Sequence, residues 1–145
     1  MNIDDTKIIP EFKKEWSEDL KLSYQTVDES SVTIIISPIG SIHTYNAGHF
    51  EEDVNKLINQ GYIQLFFDMS NTIYISALGI GTFLNILNRV KSLGGDIVLD
   101  RMLPNVLEVF NLPGFAKAFK ITSLNSEESK KIRKLDMKLP VSNKK

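Results

Sequence analysis

DMSNTIYISALGIGTFLNIL, residues 68–87, reads as the end of a strand, a short loop and the start of a helix. Counting from Ile80, the apolar residues Phe83, Leu84, Leu87 and Val90 follow at i+3, i+4, i+7 and i+10, the stripe of a helix that buries one face. Gly94 and Gly95 close it, so the spacing predicts a helix over 77–92. Upstream, YIQLFFDM (62–69) is short and almost continuously apolar, as a strand flanked on both sides is. Ser76, Ala77, Gly79 and Gly81 stand at the junction. Three kinds of site place small residues there: a phosphate cradle, a catalytic elbow, or a surface on which another protein docks.

The first two fail on spacing. GIGTFL has two glycines without a third at the usual place, and no lysine followed by serine or threonine completes a P-loop. SALG is not G-x-S-x-G, and no pattern ties His43 or His49 to Ser76 as its base. Metal ligands at a workable spacing are not visible either. The residues therefore point to no catalytic group, no metal and no cofactor. What remains is a serine able to cap free backbone N–H groups at a helix start. A phosphate on it would face the positive end of the helix dipole. Gly79 and Gly81 would leave the first turn bare for a partner's approach.

Outward from this segment the chain alternates. KLSYQTV (21–27) alternates polar and apolar, DESS (28–31) is turn chemistry, and VTIIIS (32–37) is a β-branched run, together a hairpin leading into a central strand. PIGSIHTYN (38–46) reads as a loop ending at a helix cap on Asn46. Phe50, Val54, Leu57 and Ile58 recur at helical spacing over 47–60, with Gly61 at its end. SNTIYIS (70–76) reads as a loop, and DIVLD (96–100) as another buried strand. A short helix is predicted near 105–111, opened by Pro104, and a last edge strand in FAKAFKIT (115–122). The expected neighbours in the sheet are 32–36, 63–67 and 97–99. This order predicts an α/β domain, a small mixed sheet with helices packed on it and parallel strands joined by helical crossovers. At the N-terminus, Pro10 opens a stretch in which Phe12, Trp16 and Leu20 share a helical face, read as a loosely held arm. Asn125 and Glu128 form a capping-box pattern ahead of a C-terminal helix. The expected organisation is an extension over 1–19, a domain over 20–135 and a frayed tail over 136–145.

Composition narrows the partners. Seventeen basic against eighteen acidic residues give a net charge of -1, no basis for expecting nucleic acid or an anionic membrane. With no cysteine there is no disulfide and no thiol chemistry. No stretch approaches the roughly 20 apolar residues of a membrane span, and the N-terminus lacks a signal-peptide pattern, so the expected location is the cytoplasm.

Taken as an ordered set, these features resemble the STAS domain, the fold of bacterial anti-sigma factor antagonists. The resemblance rests on Asp68-Met69-Ser70, then Tyr74 and Ile75, then Ser76, Gly79 and Gly81, and it continues through LGGDIVLDRMLPNVLEVFNLPGFAKAFKI (93–121). It spans roughly residues 20–122. The resemblance implies a binding protein and not an enzyme, one that engages an anti-sigma factor that is also a GHKL-type serine kinase. It implies a docking surface made of Ser70, Asn71, Ser76, Ala77, Leu78, Gly79 and Gly81, with Ser41, His43 and Thr44 from the loop before the first helix. It also implies a switch: phosphorylation of a serine at the helix start breaks the complex. Counted back from Gly79, that acceptor position is Ala77, which has no hydroxyl, and Leu78 stands where a small residue is usual. Three explanations stay open: Ser76 has taken over the role, the protein binds without a switch, or it is a STAS scaffold or sensor in another signalling or transport assembly.

Overall fold

The strand that carries the β-branched run at 33–36 is the hub of the sheet, pairing with three others. In the computed structural model of the chain, residues 19–28, 31–115 and 117–123 are described. Strand β1 (Leu20–Thr26) pairs antiparallel with β2 (Thr33–Ile42), with Tyr24 opposite Ile36 and Leu22 opposite Pro38. Helix α1 (Ala47–Asn59) leads to β3 (Gln64–Asp68), parallel to β2. Strand β4 (Thr72–Ile75) and helix α2 (Ala77–Ser92) follow, then β5 (Asp96–Asp100), α3 (Pro104–Phe110) and β6 (Lys120–Thr122). The sheet order is β1-β2-β3-β5-β6, with β4 attached to β2. The expected central strands are thus neighbours, the helices fall within a residue of their predicted spans, and the fold is the α/β mixed sheet that alternation required.

One sheet face and the three described helices share a core. Ile34 and Ile36, Leu65 and Phe67, and Ile97 and Leu99 alternate toward it, and they meet Phe50, Val54 and Leu57 of α1, Ile80, Phe83, Ile86 and Val90 of α2, and Val106 and Phe110 of α3. That packing is the two-layer solution for amphipathic helices and a sheet with one strongly apolar face. Both longer helices end where the chain turns left-handed, at Gly61 (φ 108) and Gly94 (φ 90).

Two expected loops are in part strand. Residues 38–42 continue β2 through Pro38 and Gly40, and Thr72–Ile75 is a strand parallel to them. Beyond Ile36 the upper part of β2 exchanges β3 for β4 as its neighbour, so a proline there interrupts no central ladder. Gly40 lies so close to the chain that a Cβ would sit 2.0 Å from the Asp19 carbonyl oxygen. The register skips one residue between Gly40↔Thr72 and Ser41↔Tyr74, a bulge that leaves Ile73 as the extra residue. The bulge breaks the two-residue alternation: Thr72 and Ile75 face inward, whereas Ile73 and Tyr74 both face solvent. Leu20 belongs to β1 and packs on the main core, so it does not continue a helical face with Phe12 and Trp16. The readings of 1–18 as an arm, of a helix after Asn125 and of the tail 136–145 lie outside the described residues.

Candidate functional site

The site is built where β2 and β4 end side by side and α2 begins. Parallel pairing sets Ser41 against Tyr74 and Ile42 against Ile75, and the Ser76 N–H donates to the Ile42 carbonyl at 2.9 Å. Ser76 has extended backbone (φ -91, ψ 170), and its Oγ accepts the Gly79 N–H at 3.1 Å. It is therefore the N-cap of α2, satisfying one of the N–H groups that a helix start leaves free. Replacing Ser76 with alanine is expected to lower stability by about 1 kcal/mol, read as a matching loss in urea denaturation without change of slope.

The two glycines expected to bare the helix start do different things. Gly81 has nothing near its Cβ direction and opens on free space. Gly79 is buried, and a Cβ there would meet Ile75 Cγ1 at 2.7 Å and Ile42 Cγ2 at 3.0 Å. Gly79 thus lets α2 sit tightly on β2 and β4, and its surface is not offered to a partner.

The loop after β2 is held by a buried asparagine. Asn46 was expected to cap α1, but its side chain makes no cap bond. Instead Oδ1 accepts the His43 N–H at 2.9 Å and Nδ2 donates to the Ser41 carbonyl at 2.9 Å, tying the loop back on itself. Complete burial explains the choice: a buried amide must spend its donors and acceptors on groups within reach, here two backbone groups of its own loop. His43 Nδ1 accepts the Tyr45 N–H at 3.2 Å, which leaves the ring proton on Nε2 to meet Asp19 Oδ2 at 3.0 Å. Thr44 and Tyr45 project into solvent.

Ser70 and Asn71 lie at the lower end of β4, away from the α2 start. Asp68 Oδ1 accepts both the N–H (3.1 Å) and the Oγ–H (2.8 Å) of Ser70, and Asp68 Oδ2 accepts Arg101 Nη2 at 2.8 Å. Arg101 has φ 57, a left-handed backbone that costs a side-chain-bearing residue energy. The Asn71 carbonyl accepts the Gly40 N–H at 3.0 Å, while its side chain is exposed. The predicted residues therefore form two groups. Ser41, His43, Thr44, Ser76, Ala77, Leu78 and Gly81 cluster at the α2 start, and Ser70 and Asn71 brace the loop that delivers β4.

Three residues absent from the sequence-based site complete that cluster. Tyr45 is 68 % exposed, Ile73 59 % and Tyr74 50 %, and they stand with Leu78 at 52 % on the loop, strand and helix start that converge here. Asn105 Nδ2 donates to the Ile73 carbonyl at 2.8 Å, so α3 holds the outer edge of β4. Consecutive exposed Ile73 and Tyr74 were visible only as part of an expected loop; without the bulge nothing signals which way they face. Large apolar side chains grouped on a surface mark contact with another macromolecule more than chance exposure. Among the described residues no three His, Asp or Glu side chains gather as a metal site, and no helix is long and apolar enough to cross a membrane.

Comparison with known proteins places this geometry. The sequence profile of the STAS domain matches residues 24–129. BtrV of Bordetella bronchiseptica, named as an anti-sigma factor antagonist, is 27 % identical over 104 residues, covering 72 % of this chain and 88 % of BtrV. A crystal structure from Thermotoga maritima, of a protein likewise named as an anti-sigma factor antagonist, superposes with a TM-score of 0.67 at 28 % identity, covering 76 % of this chain and 92 % of that one. The unphosphorylated anti-sigma factor antagonist SpoIIAA shares the fold at 15 % identity, with a TM-score of 0.60 over 84 % of this chain and 99 % of its own.

Proposed function

This chain belongs to the STAS domain family, and on that premise we propose that it acts by binding a protein, as an anti-sigma factor antagonist does, and not by catalysis. The observation that carries the reading is the exposed apolar group Tyr45, Ile73, Tyr74 and Leu78 around a capped helix start. The partner is an anti-sigma factor that doubles as a GHKL-type serine kinase, and binding it in the cytoplasm releases a sigma factor for transcription.

The switch, in this reading, has moved one residue. Ala77 has no hydroxyl, and Ser76 is the hydroxyl at the helix start. Its Oγ already faces the free N–H groups of α2, so a phosphate there adds about -1.5 to -2 charges where the helix dipole favours them by roughly 0.3–1 kcal/mol. The fold survives the modification. A partner surface shaped for the neutral serine meets a dianion that must lose its water, and the complex fails.

Incubation with the kinase and ATP, followed by mass spectrometry, tests this. Phosphate on Ser76 with loss of the complex is the expected result. Phosphate on other residues alone, or none while the complex forms, rejects the switch and leaves Ser76 a cap and the protein an unswitched binder; recovery of a different partner in place of the kinase favours the second reading, a STAS scaffold or sensor in another signalling or transport assembly. That reading draws on Ala77 and on the bulk of Leu78. A companion variant addresses docking itself. Gly81→Glu places a charge in open space beside the patch. It is expected to weaken the complex about tenfold, near 1.4 kcal/mol, with a melting temperature shifted by no more than the small propensity change allows. Unchanged affinity would remove position 81 from the interface.

A further inference from the structure

The chain leaves β3 through one tight turn before it enters β4. The Thr72 N–H donates to the Met69 carbonyl at 3.1 Å, which closes a turn over residues 69–72 with Ser70 and Asn71 at its tip. Asp68, the last residue of β3, braces that turn. Its Oδ1 accepts both the N–H and the Oγ–H of Ser70, the pattern by which an aspartate fixes the backbone two residues on. The direction of the turn decides where β4 runs. Thr72 continues from it, with Oγ1 donating to the Pro38 carbonyl at 2.7 Å, and the outward-facing Ile73 and Tyr74 follow at once. A rotation of the Asp68 carboxylate is therefore felt at the two side chains of the bulge.

The other oxygen of Asp68 is held from a different loop. Arg101 stands directly after β5, and its Nη2 donates to Asp68 Oδ2 at 2.8 Å. Its φ of 57 is the only positive φ at a side-chain-bearing residue among the described residues. A Cβ makes that region costly, whereas a glycine occupies it freely. Such a residue persists where its surroundings hold it, and what it holds in return points to its use. Arg101 does not direct its guanidinium at the nearest carboxylate in sequence. Asp100 is fully buried and accepts Thr122 Oγ1 at 2.8 Å, while Arg101 Nε stays 3.7 Å from Asp100 Oδ2 and makes no hydrogen bond among the described residues. The short bond goes to Asp68. We propose that Arg101 is a positioning residue for β4. From the loop after β5 it fixes the Asp68 carboxylate, the carboxylate fixes the 69–72 turn, and the turn aims Ile73 and Tyr74 outward. Its consequence for binding rests on the proposed docking at the α2 start; its geometry does not.

Hydrogen exchange on the full chain, followed amide by amide, tests the role without a partner. Arg101→Gly relieves the left-handed backbone and removes the hold on Asp68 in one step. Its melting temperature is expected to stay near that of the wild type. The amides that tie β4 in place, those of Gly40, Thr72 and Ser76, are expected to exchange about tenfold faster, the lower end of what a hydrogen bond between charged groups contributes. Amides inside the β3–β5 ladder are expected to keep their wild-type rates. Asp68→Asn leaves an oxygen for Ser70 and removes the one that Arg101 uses, so it should reproduce the pattern, and it decides the matter if the glycine variant fails to fold. The double variant should exchange no faster than either single one, because both remove the same link. Wild-type rates at Gly40, Thr72 and Ser76, or an equal rise throughout the β3–β5 ladder, overturn the proposal. Affinity for the anti-sigma factor is then measured on the same variants. A loss matching the rise in exchange supports control of docking through β4. Faster exchange confined to β4 with unchanged affinity upholds the positioning role and removes Ile73 and Tyr74 from the docking surface.

Discussion

Phe83→Ala is expected to cost about 3–5 kcal/mol, the cost of emptying a buried phenylalanine site. Phe83 is fully buried, and four other rings surround it: Phe67 at 5.0 Å between centroids, Phe50 at 5.2 Å, Phe110 at 5.5 Å and Phe119 at 6.4 Å. These come from α1, β3, α3 and the segment before β6, so one side chain joins most of the helical layer to the sheet. The pairs with Phe67, Phe110 and Phe119 approach edge to face, the arrangement that adds attraction beyond area. A rigid aromatic cage collapses poorly around a void, which places the effect at the upper end of the range. A domain of this size holds about 5–15 kcal/mol in all, so the variant sits near the edge of folding. Urea denaturation decides it. A loss under 2 kcal/mol would mean that the neighbouring rings repack, and that Phe83 is one core residue among many.

Much of this was legible because burial imposes a period on sequence. The α2 stripe from Ile80 to Val90 and the apolar strands on either side of it admit few alternatives, and those elements stand where their periods put them. The errors share a cause. Residues 38–42 and 72–75 form a short parallel pair whose proline, glycine and bulge erase the alternation that announces a strand. Nothing local distinguishes such a pair from a loop, since its stability comes from contacts thirty residues apart, such as Thr72 Oγ1 donating to the Pro38 carbonyl at 2.7 Å. Asn46 went astray for a related reason. An asparagine before a helix caps it by default, and only the buried loop geometry redirects its amide to His43 and Ser41. At the site itself, the small residues stand together at the helix start, but their directions were not legible. Gly79 faces the sheet and Gly81 faces space, a difference set by the 100° between successive helix positions and by where β4 lies. Ile73 and Tyr74 could not be assigned to the surface until the bulge was known.

Leu78→Glu separates binding from folding most sharply. The side chain is half exposed, and the bond its backbone carbonyl accepts from Thr82 Oγ1 at 3.2 Å does not depend on the side chain. A carboxylate in the first turn faces the positive end of the helix dipole. Stability is therefore expected to stay within about 0.5 kcal/mol of wild type, with the sign, if any, favourable. Affinity moves the other way. On the proposed docking patch, a leucine would fill an apolar pocket of the partner, and glutamate would both empty that pocket and bring in a charge that must lose its water. A loss of at least 2 kcal/mol follows, about thirtyfold in Kd, and Tyr74→Ala on the adjoining strand should lose binding with it. Because the two residues belong to one patch, the double variant is expected to lose less than the sum of the single losses. Titration calorimetry on the folded variants tests all three. If Leu78→Glu binds like wild type, the exposed group at the α2 start is not where the partner sits, and the proposed function loses the observation that carries it.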